Sequence, residues 1–270
     1  MELRLSTCAL VLTALACAVP ADAQFNAPRL VVPGEDFRVE LGIGFWQAEP
    51  HLVIRMDELG AIGTDIDFVE EFGLEKKRFR EFRGTLKLAR KHKLRADYVP
   101  FSYDAEATLT RTIVFNGREF TVGVPATAEV KWDFWKFGYE WDFVATGSSF
   151  AGLVLDLKYS RVSASLASPV VGATFAEAKA PVPGIGGIGR VYFAKNFSVT
   201  GEFTAFKMPD SFSEEIDGKF FDFDLYATAD LSRNAAVQGG YRSILVDYSQ
   251  EEDFGELRMK GFYVGGLVRF

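Results

Sequence analysis

The sequence contains only two histidines, only two cysteines and no apolar run long enough to cross a membrane as a helix. Cys8 and Cys17 both lie within the first 23 residues, so the rest of the chain offers no disulfide framework and no thiol chemistry. The formal net charge of −7 provides no basic footprint for nucleic acid, and we expect no partner of that class.

The first 23 residues predict a cleavable signal peptide. Arg4 gives a short positive segment, residues 8–19 are apolar, and Ala21-Asp22-Ala23 has the small-x-small pattern of a cleavage site. The apolar run is too short to span a membrane. The alternative is lipoprotein processing before Cys17. Either way, we expect the chain to be exported, with Gln24 as the mature N-terminus in the first case.

From about residue 36, apolar side chains alternate with polar ones. Between 135 and 143 every second residue is aromatic, and Lys136, Gly138, Glu140 and Asp142 lie between them. Similar alternation occurs in the segments 37–45, 153–159 and 221–229. Segments of about ten residues with this period are typical of a transmembrane β-barrel that is apolar outside and polar inside. A soluble lipocalin-like barrel is the alternative, and it would reverse the two faces.

The connectors between these segments alternate in length. Short turns are predicted at 90–93, 145–149, 195–196 and 233–234, and long polar connectors at 48–78, 104–129, 163–183, 208–217 and 249–255. The runs between them predict ten strands, near 36–47, 79–90, 93–103, 130–144, 150–162, 184–194, 197–207, 218–232, 235–248 and 256–270. Eight strands would result if the glycine-rich run 184–189 did not pair. Pro100 predicts a bulge or an early end to pairing.

The last ten residues carry the most specific signal. Tyr263, Gly265, Val268 and Phe270 fit the pattern polar-x-Gly-x-x-apolar-x-aromatic. In this the sequence resembles bacterial outer-membrane β-barrel proteins, and more narrowly the small outer-membrane-protein-A-type and porin-like barrels. The resemblance implies an all-β, antiparallel, up-and-down transmembrane barrel over residues 36–270, preceded by a periplasmic segment, 24–35. It also implies that the outer-membrane assembly machinery recognises the last strand.

The polar face of the predicted strands carries charges of both signs. The residues expected in the lumen are Arg38, Glu40, Arg83, Lys87, Arg95, Asp97, Lys136, Glu140, Asp142, Asp156, Lys158, Arg190, Glu202, Asp222, Asp224, Asp230 and Arg242. Side chains fill most of the bore in a barrel of this size, and buried charges persist when they are paired. We therefore expect a lumen plugged by ion pairs. A narrow conducting path lined by both signs is the alternative.

The search for catalytic residues gives little. His92 falls in a predicted periplasmic turn, where a solvated residue is expected. His51 lies at the outer end of the first strand with Asp57 and Glu58 nearby in sequence, but no nucleophile motif accompanies it. We expect no enzyme, no catalytic residue and no cofactor. A rim enzyme acting on lipid or peptide remains a further alternative.

Two acidic stretches contain oxygen ligands that suit a divalent cation. The stretches are Asp65, Asp67, Glu70 and Glu71 in the first outer loop, and Glu214, Glu215 and Asp217 in the fourth. Neither has the ligand order and turn glycine of a calcium loop, so we predict solvated loop charge and no metal site. Such rim carboxylates are also suited to sharing divalent cations with lipopolysaccharide phosphates.

Contacts with the surrounding lipid are expected at two places. The aromatic residues Trp132, Trp135, Tyr139, Trp141, Tyr159 and Tyr241 suit the girdles at the membrane interfaces. The basic residues Lys76, Lys77, Arg78 and Arg80 enter the second strand from outside, where they would meet lipopolysaccharide phosphates. The expected role is structural or interactive at the cell surface, with the partner of the loops unknown. A small porin-like channel for ions or small solutes is the alternative.

Overall fold

The computed structural model describes residues 33–56, 63–208, 216–250 and 253–270. The predicted signal peptide, 1–23, lies outside these residues, as does all but the end of the predicted segment 24–35. A short 3₁₀ turn, Pro33–Glu35, precedes the first strand. The strands are β1 (Val39–Arg55), β2 (Ile66–Asp67), β3 (Lys77–Ala89), β4 (His92–Thr108), β5 (Ile113–Phe115), β6 (Arg118–Phe120), β7 (Pro125–Ala145), β8 (Ser149–Ser168), β9 (Gly172–Ala194), β10 (Phe197–Lys207), β11 (Ile216–Asp230), β12 (Ala235–Gln250) and β13 (Asp253–Arg269), and the one α-helix of the described residues is α1 (Phe68–Phe72).

Ten of these strands form a closed antiparallel barrel. Each pairs with its neighbour in chain order, and β13 pairs with β1 from Glu40↔Arg269 to Arg55↔Phe254, which removes both sheet edges. The predicted fold class and strand number are therefore confirmed. The alternative of eight strands is wrong, because the glycine-rich run 184–189 pairs with both β8 and β10.

The two ends of the barrel differ. At one end, which we call the turn end, consecutive strands are joined by short turns, and β1 begins beside the end of β13. At the other, the loop end, the first connection contains β2 and α1 and the second contains the β5–β6 hairpin. The predicted long connectors at 163–183 and 249–255 are wrong. The strand β8 ends at Ser168 and β9 begins at Gly172, while β12 ends at Gln250 and β13 begins at Asp253.

The apolar face of the wall changes from the outside to the inside partway along the strands. On β7 the odd-numbered aromatic residues 135–143 are outward and lie next to buried inward charges. From Phe134 toward the loop end, the inward residues are apolar and the outward ones, such as Lys131 and Glu129, are polar. We call the two parts the turn half and the loop half. A wall facing lipid needs an apolar exterior, whereas a wall facing water needs an apolar interior.

This inversion explains the missed strand lengths. On β8 the lipid-type pattern ends at Tyr159, and beyond it Arg161 and Ser163 face outward while Ala164 and Leu166 are buried. A search for apolar-out alternation therefore stops too early. At Pro100 the expected early end of pairing is confirmed on one side, since β4 pairs with β3 only as far as Tyr98 but with β7 as far as Thr108.

Candidate functional site

The interior of the turn half is organised around the buried guanidinium of Arg242. Its Nε and Nη2 donate to the two carboxylate oxygens of Asp222 at 3.2 and 3.0 Å, and its Nη1 donates to Glu81. Asp97 lies 3.7 Å from Nη2. A fork of donors facing several carboxylates is the geometry in which arginine binds most strongly. Arg242 thus links β3, β4, β11 and β12 across the bore.

Lys136 of β7 holds the opposite side of this cluster. Its Nζ lies 2.9 Å from Glu202, 3.2 Å from Asp222 and 3.2 Å from Asp97. Its side chain is only 4% exposed. Three carboxylates around one buried ammonium give each of its protons an acceptor, which offsets the cost of removing the charge from water.

Toward the turn end the same network continues through β4. Arg95 lies 2.7 Å from Glu202 and 3.3 Å from Glu140, and Lys93 lies 2.5 Å from Glu140 and 3.0 Å from Asp142. Lys93 also lies over an aromatic ring of β8, with Nζ 3.7 Å from its centroid. The charges of the β4–β7 ladder are therefore tied to β10 on the other side of the bore.

Toward β13 the network continues through Arg83. Its guanidinium lies 2.9 Å from Glu81 and 2.8 Å from Asp224, and 4.5 Å above the ring of Tyr263. The hydroxyl of Tyr263 donates to Asp224 at 3.0 Å. Five cations and seven carboxylates from six strands thus form one network, whose members are Glu81, Arg83, Lys93, Arg95, Asp97, Lys136, Glu140, Asp142, Glu202, Asp222, Asp224 and Arg242.

The N-terminal turn closes the mouth at the turn end. Glu35 accepts a hydrogen bond from Arg190 at 2.9 Å and lies 3.6 Å from Lys87. Burial acts to raise the pKa of Glu35, but Arg190, Lys93 and Lys87 together hold that pKa below its ordinary value. Glu35 is therefore a charged plug residue, fixed among cations supplied by three strands.

The sequence-predicted lumen residues are brought together with one exception. Arg38 is exposed just before β1, and its expected place in the lumen is wrong because the alternation begins only inside the strand. The others line the interior, including the pair Asp156–Lys158 and the ion pairs of Arg269 with Glu40 and Asp230 at 2.5 Å each.

Four charged residues of the interior were missed from the sequence. Glu81 is two residues before Arg83 on β3, and Lys93 is two residues before Arg95 on β4. The alternation of the strands therefore places both on the inner face, and both could have been predicted. Arg269 has the parity of the buried Tyr263. Glu35 precedes the first strand, where no period exists to place it.

The interior of the loop half is an aromatic and aliphatic core. Phe101 contacts Trp46, Phe79 and Trp132 with ring centroids 5.0 to 5.4 Å apart. Trp132 is 1% exposed and donates from Nε1 to Ser160 at 2.6 Å, so its expected place in a lipid-facing girdle is wrong. Its even number puts it on the inward face of β7. Trp135, Trp141 and Tyr159 do lie on the outer surface.

The first two loops cover this core. Phe68 and Phe72 of α1 are buried against it, and so are Phe115 and Phe120 of the β5–β6 hairpin. The helix is short but capped, because the Asp67 side chain accepts from the amides of the two residues that follow Phe68. Two cavities lie in the turn half, one of about 30 Å³ among the charged side chains, with room for one or two water molecules, and one of about 240 Å³ in the mouth at the turn end.

The acidic residues of the first loop hold that loop together. Asp65 accepts from Arg55 Nε at 2.6 Å, and this hydrogen bond keeps the pKa of Asp65 below its ordinary value. Glu71 accepts from Arg111 at 2.5 Å, which joins the first loop to the second. Among the described residues no group of three potential ligands is placed to hold a metal ion. Glu214 and Glu215 lie outside the described part of the chain.

The two histidines lie at opposite ends of the barrel and have different partners. His51 Nε2 lies 3.3 Å from Glu256 on the exposed outer face of the loop half. His92 lies at the turn end, with Nδ1 2.5 Å from the hydroxyl of Tyr139. No hydroxyl nucleophile accompanies His51 among the described contacts, and Tyr139 lies on the outer face of β7.

The four residues of the terminal motif divide between the two faces of β13. Tyr263 is buried against Asp224, while Val268 and Phe270 are exposed on the outside. Gly265 lies so close to β1 that a Cβ there would be 2.7 Å from the carbonyl oxygen of Ile43. Among the described residues, no helix is both long enough and apolar enough to cross a membrane.

Comparisons with known proteins show the fold. No family model and no curated protein matches the chain. The outer-membrane protease OmpT of Escherichia coli superposes with a TM-score of 0.62 at 12% identity, covering 86% of this chain and 97% of that chain. Ail of Yersinia pestis aligns with a TM-score of 0.36 at 8% identity, covering 87% and 99%. The toluene transporter TodX of P. putida aligns with a TM-score of 0.36 at 8% identity, covering 86% and 90%. The chain has the fold of an outer-membrane β-barrel.

Proposed function

We propose that the protein is a non-conducting, integral barrel of the bacterial outer membrane, with a structural or surface-interaction role. The observation that carries this proposal is the filled bore. Twelve charged side chains from six strands meet in the turn half, and an aromatic core covered by two loops occupies the loop half. Residues 1–23 would direct its export.

The outer surface of the turn half supports insertion in a bilayer. The outward aromatic residues of β7 run from Trp135 to Phe143, and β1, β8 and β13 carry exposed leucine, isoleucine, valine and phenylalanine at the same level. Nine residues at about 3.3 Å each, tilted by about 40°, cover about 23 Å along the barrel axis. An apolar band of about 25 Å is typical of outer-membrane barrels.

Lipopolysaccharide is the proposed lipid partner above this band. Arg78 and Arg80 are exposed on the outer face of β3, where the inversion of the wall begins. Arg78 lies 5.7 Å from the ring centroid of Phe45, and neither arginine takes part in an ion pair within the described residues. Guanidinium groups at this level are suited to the phosphates of the outer leaflet.

We propose no enzymatic role. OmpT, which shares the fold, is a protease, but a shared fold at 12% identity transfers no activity. Among the described residues His51 contacts a surface carboxylate, Glu256. We therefore expect its substitution to have no larger effect than the loss of any other charge at the rim. The expected result for His51→Ala is an unchanged profile of lipid and peptide turnover. Loss of a turnover that the wild-type protein performs would contradict this part of the proposal.

Planar-bilayer recording tests the proposal as a whole. Insertion is first verified by the shift in gel mobility between unboiled and boiled protein. We expect the wild-type protein to be silent, and Lys136→Gln and Asp142→Asn to add no steady conductance. A steady wild-type conductance that changes in either variant would establish the porin-like alternative.

The assembly machinery is the proposed partner of β13. Deletion of Phe270 removes an exposed ring at the end of the strand that closes the barrel. We expect the deleted protein to be made but to show no mobility shift in membrane fractions. Normal assembly of the deleted protein would contradict a role for the terminal motif.

A further inference from the structure

Five exposed cations surround the turn end. They are Arg38, Arg90, Lys91, Lys195 and Arg233, and we call them the basic turn ring. The exposed carboxylate side chain among the described residues of this end is Asp36 alone. The chain as a whole carries a net charge of −7, so this positive end runs against the average composition.

The basic turn ring differs from the cations of the lumen in its lack of partners. The cations of the lumen are paired with buried carboxylates, and some exposed cations of the loop half pair with neighbouring acids, as Arg161 does with Glu177 and Lys260 with Glu49. No member of the ring takes part in an ion pair within residues 33–56, 63–208, 216–250 and 253–270. Their charge is free for an anion outside the protein.

Four cations of the ring lie beside exposed apolar side chains. In sequence, Arg90 is two residues after the exposed Leu88, Lys195 lies between the exposed Phe193 and Phe197, and Arg233 is two residues after the exposed Leu231. Arg38 has the same neighbourhood, because its amide donates at 2.7 Å to the main-chain oxygen of Phe270, a residue that is 71% exposed. A cation next to exposed aromatic or aliphatic side chains lies at the depth of lipid headgroups.

We propose that the basic turn ring binds the phosphates of anionic phospholipid headgroups in the leaflet at the turn end. This rests on the proposed function, since it requires the band to lie in a bilayer. Free phosphate would contact only the cations. A phospholipid contacts the cations with its phosphate and the neighbouring apolar side chains with its acyl chains. Each cation near an anionic surface strengthens the attraction about fivefold, and the effect is screened by salt.

A tryptophan already present beside the β3–β4 turn reports on this binding. His92 is paired with Trp141, and the amide of Asp142 donates to the carbonyl of Lys91 at 2.8 Å, so the backbone of Trp141 lies next to the turn that carries Arg90 and Lys91. Trp141 is 42% exposed on the outer face. Trp46 and Trp132 are buried in the loop half, and Trp135 is removed by Trp135→Phe, which leaves one lipid-facing indole.

The experiment measures quenching of Trp141 in full-length Trp135→Phe protein reconstituted into vesicles. The vesicles contain brominated phosphatidylglycerol competing with phosphatidylcholine, or brominated phosphatidylcholine competing with phosphatidylglycerol. We expect phosphatidylglycerol to be preferred about fivefold near Trp141, and the preference to vanish at about 1 M salt. Adding Arg90→Gln and Lys91→Gln should abolish the preference. The matched control, Arg161→Gln with Lys260→Gln, removes the same charge from the exposed surface of the loop half and should leave the preference unchanged.

Three results would overturn the proposal. Equal quenching by the two brominated lipids means that the ring does not select anionic headgroups. A preference that survives in the Arg90→Gln/Lys91→Gln variant means that other groups cause it. No quenching by either lipid means that the band is outside the bilayer, and that result overturns the proposed function as well. Gel mobility of unboiled samples verifies that each variant is folded.

Discussion

The two halves of the barrel interior are both filled, but by opposite chemistry. In the turn half, where the outer face is apolar, the interior consists of ion pairs centred on Arg242 and Lys136. In the loop half, where the outer face is polar, the interior consists of rings such as Trp46, Phe101 and Phe134. Strand alternation therefore separates the two faces of the wall in both halves. An apolar outer face is typical of a wall in lipid, and an apolar inner face is typical of a wall in water.

The largest effect is expected from breaking the charged half at its centre. Arg242→Met leaves Glu81, Asp222 and Asp97 without the cation that they share. Removing one partner of a buried ion pair costs about 3–5 kcal/mol. We expect a loss of this size in the free energy of unfolding, measured by urea titration of protein refolded in detergent. Arg258→Met is the matched control, because Arg258 pairs with Glu256 on the exposed face, and its effect should not be measurable. Equal losses in the two variants would contradict the special position of the buried network.

A smaller effect is expected from the plug at the turn end. Glu35→Gln removes the carboxylate that faces Arg190 and Lys87 but keeps the shape of the side chain. A hydrogen bond to a charged group contributes about 1.5–3 kcal/mol, and the amide retains part of it, so we expect a loss of about 1–2 kcal/mol. The same urea titration measures it. Release of the N-terminal turn should also expose residues 33–38 to protease. Unchanged stability together with unchanged proteolysis would show that Glu35 does not fasten the turn.

The apolar half is expected to tolerate a change of shape. Phe134 stacks on Phe220 with centroids 6.0 Å apart and is fully buried. Phe134→Leu keeps the site apolar at similar volume, and such replacements cost less than about 1.5 kcal/mol. A loss as large as that of Arg242→Met would contradict the distinction between a core that needs apolar volume and a network that needs specific partners.

The smallest effect concerns the loop that covers the apolar half. Because the pKa of Asp65 is lowered in the folded protein, its pairing with Arg55 stabilises the loop above the unfolded pKa of 3.8, and this contribution is lost as the pH falls through the folded pKa. The pair is half exposed, so its contribution is below about 1 kcal/mol. Hydrogen exchange of residues 63–72 should be faster in Asp65→Asn than in the wild type at neutral pH, and equal in the two at a pH below the folded pKa. A difference that persists in acid would mean that the charge of Asp65 is not the cause.

The strands of the turn half were predictable because an apolar outer face and a charged inner face give the same alternation on every strand. The ten strands, the closing pair of β1 with β13 and most of the charged interior follow from this alternation. The partners within the network do not follow, since Lys136 meets Glu202 and Asp222 from the far side of the bore, and no sequence spacing encodes that approach.

The loop half was less predictable because its alternation is that of a soluble protein. On β8 the inward residues Ala164 and Leu166 are apolar and the outward Ser163 is polar. A pattern with a polar interior does not match this segment, so it was predicted as a connector. Trp132 reads as a girdle residue for the same reason, although its position on the inward face of β7 was available from its neighbours. The helix α1 and its cap, Asp67, were not predicted, and the folding of the first loop onto the apolar core depends on long-range contacts.

Thiol accessibility tests the closed bore most directly, because Cys8 and Cys17 are the chain's cysteines and serine can replace both. In that background Ala128→Cys lies in the apolar half, Thr204→Cys lies in the charged half, and Thr127→Cys faces outward beside Ala128. A small charged thiol reagent should label Thr127→Cys in the folded barrel and leave the other two unlabelled until the protein is unfolded. Labelling of Ala128→Cys or Thr204→Cys at the rate of Thr127→Cys would show that water and ions reach the interior, and would contradict the filled bore.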